Sequence, residues 1–432
     1  MIIEKIKQQL SNQFIRNIGW LGGAELINRI FRLGATVVLA RALSPKDYGL
    51  AAVVLTINEF TTVFTLRAGI GGKIVQADEE DVEVFCNTAY WLNWILCISL
   101  FIIQCIAAFP VAWFYNEEKL ILPLCVYSLV YLMLPFFAVH NALIDRANRL
   151  KITAISTAIQ SMLNNILIPV FALSGMGMWA LVLPGLFTTP VWIIVTHLNE
   201  PWRPKMSFTL KRWKEIVDFG KNILGYELLE KLRANIDYLL VGRLLGVEAL
   251  GTYFFAFNAG LGISLNVINI MVWPLYPHLC AARHNFDEFR HKYFHSLKTI
   301  SLVIIPLVIL QSSLAPFYVP IVFGEKWKMA VPILVLICLS AIPRPFATAA
   351  ALLLQSLDKA WINLRWSLIF TGIFVCSLLV GMNWGIYGVA VSVLISHAVA
   401  MPMFTVWATK LVFAKDSVLL TQPKQKIKSS KH

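Results

Sequence analysis

The sequence predicts an all-α integral membrane protein of about twelve transmembrane helices, organised as two parallel-repeat six-helix lobes. Three observations predict it. Of 432 residues, 58% are hydrophobic and only 14% charged, whereas a soluble domain carries about 25% charged residues; mean hydropathy is +0.69. Apolar stretches long enough to cross a bilayer, about 20 residues each, recur along the whole chain. One basic, proline-containing stretch divides them evenly. The length leaves no room for a sizeable soluble domain, and the net charge of +13 has to be read by position.

The chain opens with MIIEKIKQQLSNQFIRN. It is too polar for the apolar region of a signal peptide, and no small-residue cleavage site follows. Residues 1–16 are therefore read as an amphipathic segment at the membrane surface. Apolar stretches at 17–42, 49–67, 88–114, 120–140, 152–173 and 178–198 form the N-lobe, 17–198. Residues 199–215 contain PWRPKMSFTLKRWKE, with two prolines and no apolar run, and are read as a cytoplasmic basic linker. Stretches at 216–242, 249–277, 295–322, 330–354, 361–381 and 386–412 form the C-lobe, 216–413. Residues 414–432 are a basic cytoplasmic tail, attracted to anionic lipid. Each stretch is too long for a strand, and none alternates with period two as a membrane barrel does.

Lys and Arg set the orientation. With the N-terminus cytoplasmic, the outside loops hold only Arg41, Lys46, Lys119, Arg243, Lys326 and Lys328, and the inside segments hold most of the rest. Both termini are then cytoplasmic. The inside loop DEEDVE, 78–83, opposes the pattern in sign, but acids contribute little to topology.

Sliding one half over the other by 202 residues aligns Gly23 with Gly225, Glu25 with Glu227, Leu26 with Leu228, Arg41 with Arg243, Leu43 with Leu245 and Gly49 with Gly251. Arg29 then falls on Lys231. An even number of spans per half makes the repeats parallel, related by an axis along the membrane normal. A cleft between two such bundles would work by alternating access.

Charge inside the spans marks the candidate site. Glu25, Asn28, Arg29 and Arg32 share one helical face of the first span. At about 3 kcal/mol for each central charge against about −0.5 for each large apolar residue, that helix is unfavourable in lipid alone and must face protein or water. The seventh span repeats the problem with Glu227, Glu230, Lys231, Arg233 and Asp237; Glu59 and Arg344 add to it. Two readings stand. The charges form internal ion pairs, such as Glu25 with Arg29 and Glu227 with Lys231 one turn apart, or they line a hydrated substrate path. On the second reading the cations Arg29, Arg32, Lys231, Arg233 and Arg344 suit an anionic cargo, arginine above all because its planar fork matches phosphate oxygens. Glu25, Glu59, Glu227 and Asp237 are candidates for ion coupling or structural pairing.

The remaining signals are weaker. Cys86, Cys97, Cys105, Cys125, Cys280, Cys338 and Cys376 form no C-x-x-C pair and read as free packing thiols. His278, His284, His291 and His295 lack an H-E-x-x-H pattern and read as a solvated basic loop, with no metal or cofactor expected. SGMGMW, 174–179, and GGKIVQ, 71–76, read as glycine-rich turns. Trp20, Trp113, Tyr115, Trp327 and Trp384 fit an interfacial belt. A membrane polymerase or ligase needs a sizeable outside loop, which this chain lacks, so no catalytic residues are expected.

RALSPKDYGLAAVV (41–54), GIGGKIVQ (69–76), NTAYWLNWIL (87–96), WRPKMSF (202–208), IDYLLVGRLLGVEALGTYFFAFN (236–258), WPLYPHL (273–279) and FGEKWKMAVPILVL (323–336) together resemble the oligosaccharide flippase family, in its exopolysaccharide and teichuronic-acid branch. The resemblance implies membership of the multidrug/oligosaccharidyl-lipid/polysaccharide exporter superfamily, with two six-helix lobes forming a V. It implies a polyprenyl-diphosphate-linked oligosaccharide moved from the cytoplasmic to the outer leaflet of a bacterial inner membrane. The implied partners are that lipid-linked substrate, membrane lipids, and the glycosyltransferases and polymerase of the same pathway, with no nucleic acid. Energy would come from a H⁺ or Na⁺ gradient. Where the family pattern leads one to expect an acid at the end of the second span, this chain has Arg67. An ion-coupled multidrug exporter of the same fold is the alternative; it would call for a cavity dominated by acids.

Overall fold

A computed structural model describes residues 31–413 apart from 66, 206, 273 and 284, and gives the backbone alone at 67, 68, 222, 226, 263 and 266. All regular structure among the described residues is helical. Seven helical stretches there are long and apolar enough to cross a membrane: Val82–Tyr115, Glu118–Arg146, Leu150–Leu173, Trp179–Asn199, Phe286–Phe323, Glu325–Ser356 and Ala360–Phe413. The longest holds two expected spans, separated by a 3-10 turn at Met382–Trp384. Contacts divide the chain into two compact units, Met1–Thr252 and Tyr253–His432. Helix Trp213–Leu244, the expected seventh span, lies in the first unit.

In the first unit, helix Pro45–Val63 starts at a capping box: Asp47 N–H donates to Ser44 Oγ at 3.2 Å and Ser44 N–H to Asp47 Oδ2 at 3.2 Å. Pro45 occupies the first turn, where its missing N–H costs nothing. This helix crosses Val247–Ala256 at bare backbone. A Cβ on Gly49 would lie 1.8 Å from the Val247 carbonyl oxygen, and one on Gly251 1.7 Å from that of Pro45. Only glycine permits such an approach.

GGKIVQ is not a turn. It is the second half of helix Arg67–Gln76. Its glycines serve packing: a Cβ on Gly69 would lie 2.4 Å from Gly220 Cα, and one on Gly72 2.9 Å from the Phe219 ring. The turn reading holds for SGMGMW, where Gly175 and Gly177 have φ of +74° and +54°. Arg146 closes helix Arg67–Gln76, donating to the carbonyls of Ile74, Val75 and Ala77 at 3.0, 3.0 and 2.5 Å and pairing with Glu79 at 2.9 Å.

The linker 199–215 is strapped onto helix Val82–Tyr115 and the acidic loop before it. Lys205 pairs with Glu83 at 2.6 Å and Arg212 with Asp81 at 2.6 Å. Thr88 Oγ1 donates to the Lys211 carbonyl, Trp91 Nε1 to that of Ser207, and Lys205 N–H to Asn87 Oδ1. Phe85 lies between the cations of Lys73, at 4.9 Å, and Arg212, at 4.6 Å. The acidic run 78–83 thus balances the basic linker. Arg212 also hydrogen-bonds Glu215 and thereby holds its carboxyl below the usual carboxylate range.

The second unit packs helices Leu275–Ala282, Phe286–Tyr318, Arg344–Ser356, Ala360–Gly381 and Gly385–Phe413 around a core that includes Leu279, Phe289, Tyr293, Leu354 and Phe404. A π-helical segment at Phe257–Leu261 precedes them. Its Gly260 carbonyl accepts from Gln311 Nε2 at 2.8 Å, and Ser264 Oγ donates to Gln311 Oε1 at 2.7 Å. The side-chain amide thus binds backbone that the π-turn takes out of the normal ladder.

Two interfacial aromatics lie inside the fold instead. Trp327 stacks on Phe255 at 3.9 Å and is buried, as is Tyr115, whereas Trp113 and Trp384 are exposed. His291 and His295 are not in a loop. Asn285 Oδ1 accepts from Glu288 N–H and starts helix Phe286–Tyr318 before them, and the two rings stack at 5.8 Å. All seven cysteines are free thiols.

Candidate functional site

A cavity of about 810 Å³ lies inside the first unit, bounded by helices Pro45–Val63, Arg67–Gln76, Ile121–Arg146 and Trp213–Leu244. Helical spacing supplies its polar wall. Glu227, Glu230 and Lys231 fall at i, i+3 and i+4 on one face. Asn58, Glu59 and Thr62 come from the second span, and Asn141 and Asp145, four apart, from the fourth. Gly71 and Gly72 add no bulk to the remaining wall.

Lys231 Nζ lies 3.0 Å from Glu59 Oε2, and Asn235 Nδ2 donates to the same oxygen at 3.2 Å. Asn235 is buried and also donates to the Lys231 carbonyl at 3.1 Å. Arg233 pairs with Glu230 at 2.8 Å. Asp145 accepts from Asn141 Nδ2 at 3.1 Å and Thr153 Oγ1 at 3.2 Å. Behind the wall, the buried Tyr131 hydroxyl lies 2.7 Å from Asn58 Oδ1 and 2.9 Å from Gln104 Oε1, which fixes the Asn58 side chain.

Of the sequence-predicted residues, Lys231, Glu59 and Glu227 meet on this cavity. Arg233 is on the same helix but off the lining, held by Glu230. Asp237 is buried off the lining, its Oδ1 accepting from Tyr238 N–H at 3.0 Å. Arg32 is exposed on the 31–42 helix. Arg344 is the first residue of helix Arg344–Ser356 in the second unit. Arg29 and Glu25 lie outside the described residues. One pairing is corrected. Lys231 pairs not with Glu227 one turn away but with Glu59 on another helix, where Asn235 supplies a second donor to the same carboxylate.

Among the described residues the lining therefore carries four carboxylates, Glu59, Asp145, Glu227 and Glu230, against one ammonium, Lys231. Asp145, Asn141, Gln76 and Asn235 were not singled out by the sequence reading. Asn141 and Asp145 fall past the end of the stretch 120–140, and Gln76 ends the segment read as a turn. The i, i+4 spacing of Asn141 and Asp145, on a helix that continues to Arg146, was the available signal.

Residues 38–332 match the model of a family described as "Polysaccharide biosynthesis protein". The teichuronic acid biosynthesis protein TuaB of Bacillus subtilis (strain 168) is 26% identical over 311 residues, 71% of this chain and 64% of that protein. The chain thus spans less than two thirds of that relative's length. Among solved structures, the lipid II flippase MurJ in an inward closed conformation superposes with TM-score 0.73 at 13% identity, over 90% of this chain and 87% of that one. An inward-facing multidrug resistance MATE family transporter of the MOP superfamily superposes with TM-score 0.67 at 15% identity, over 89% and 94%.

Proposed function

Because the chain belongs to the polysaccharide biosynthesis protein family, we propose that it is a flippase carrying a polyprenyl-diphosphate-linked oligosaccharide from the cytoplasmic to the outer leaflet of a bacterial inner membrane. It is a multi-pass membrane transporter, not an enzyme. The observation that carries the reading is a cavity of about 810 Å³ with a charged wall, bounded by four helices of which Ile121–Arg146 is part of a candidate membrane span, in a member of that family. Both termini are cytoplasmic in this reading, and the halves 17–198 and 216–413 rock as two lobes of a V by alternating access. The glycine crossing supports the duplication. Under the 202-residue offset Pro45 maps to Val247 and Gly49 to Gly251, so each glycine meets the repeat equivalent of the other's partner.

Lys231 on the cavity wall is the first candidate for the diphosphate, with Arg29, Arg32, Arg233 and Arg344 as further candidates along its path, and Glu25, Glu59, Glu227 and Asp237 are the candidates that couple a H⁺ or Na⁺ gradient or fix the cations. The glycosyltransferases and polymerase of the pathway act before and after it. Replacing Arg29 and Arg32 together with Ala leaves the protein in the membrane but abolishes surface polymer; full polymer production in that variant refutes their phosphate role.

The acid-rich lining favours a second reading, an ion-coupled exporter of organic cations. A deletion strain that becomes drug-sensitive while its surface polysaccharide is intact decides for it.

A further inference from the structure

The cation facing the cavity is already occupied. Among the described residues Lys231 is the one ammonium on the lining, and it donates at 3.0 Å to Glu59, whose same oxygen also accepts from Asn235. Arg233, two residues further on, is held by Glu230. An anion entering this space meets Glu227, Glu230 and Asp145 as well, so with the pair closed the field opposes it. The lysine and glutamate side chains are nonetheless 43% and 47% exposed. A pair that open is held by about 1 kcal/mol or less, weak enough for an incoming anion to displace.

We infer that Glu59 is an internal counter-ion that withholds Lys231 from anionic headgroups, and so sets the charge selectivity of the cavity. A diphosphate gains Lys231 only by displacing Glu59, so phosphate and carboxylate compete for one ammonium. Asn235 positions Glu59 and is not itself an anion contact. The inference rests on the flippase reading for the identity of the anion, while the competition itself can be measured without any glycan.

The test measures binding of inorganic pyrophosphate and of farnesyl diphosphate to the purified full chain in detergent, by calorimetry, at low salt. Glu59→Gln is expected to tighten both probes about fivefold, the affinity equivalent of an exposed ion pair. Glu59→Asp, one methylene shorter, keeps the charge and gives a smaller gain. In a Lys231→Met background the Glu59→Gln gain disappears. Equal affinity in wild type and Glu59→Gln overturns the inference. So does a gain that persists without Lys231, since it would then come from the lower negative charge alone. Surface polymer in a complemented deletion strain is scored separately. Loss of the binding effect with polymer production intact refutes the counter-ion role and leaves the flippase reading standing; the converse does the reverse.

Discussion

Replacing Gly49 by Ala puts a methyl group 1.8 Å from the Val247 carbonyl oxygen, and Gly251→Ala puts one 1.7 Å from that of Pro45. Real Cβ atoms essentially never approach within 3.0 Å, so the two helices must part by more than about 1 Å. A helical carbonyl cannot rotate aside without losing its own hydrogen bond. Overpacking of this kind costs about 1–3 kcal/mol, and occasionally more. Alanine's helix propensity returns about 1 kcal/mol, which leaves each single variant destabilised by up to about 2 kcal/mol. Gly372→Ala is the internal control. That glycine lies within helix Ala360–Gly381, and a Cβ there meets nothing within 4 Å, so the propensity gain stands alone. The assay is thermal unfolding of the detergent-solubilised protein, followed by intrinsic fluorescence. The double variant is expected to cost less than the sum of the singles, because one separation accommodates both methyl groups. If Gly49→Ala and Gly251→Ala unfold at the temperature of Gly372→Ala, the backbone crossing does not exist as described.

Two further outcomes follow from the first unit. Arg146→Ala strips a charged donor from the last carbonyls of helix Arg67–Gln76 and is expected to destabilise the protein by about 1.5–3 kcal/mol; an unchanged melting temperature in the same assay rejects the cap. The linker strap should depend on pH. Arg212 holds the Glu215 carboxyl below its ordinary range, so its contribution is complete above the unfolded pKa of about 4.3 and is lost only as pH falls through the lower folded value. The backbone amides of Lys205, Lys211 and Trp213, which donate to Asn87, Thr209 and Leu210, are therefore expected to keep their hydrogen-exchange protection from pH 7 to about 5 and to lose it in stronger acid, and protection that persists to pH 2 contradicts the strap.

Much of the architecture follows from one-dimensional properties. Apolar stretches of bilayer length force helix, because lipid offers backbone polar groups no partner. That holds for Val82–Tyr115 as for Gly385–Phe413, and the charges of the seventh span announced that it faces protein or water without any coordinates. What local pattern could not give is which faces meet. GGKIVQ has turn composition, yet it lies in a helix whose Gly69 and Gly72 lack the side chains that would collide with Gly220 and Phe219, some 150 residues later. Lys231 has Glu227 one turn away, yet it chooses Glu59, because helix packing brings that carboxylate within 3.0 Å with Asn235 beside it. The acidic run 78–83, opposite in sign to the other inside loops, is where the linker's Lys205 and Arg212 dock. Sequence alone determined the solvent this chain lives in and the residues too costly to leave in lipid, since both are sums over single side chains. Tertiary structure alone decided their partners and the sign of the cavity, since pairing depends on distances between segments that no local period encodes.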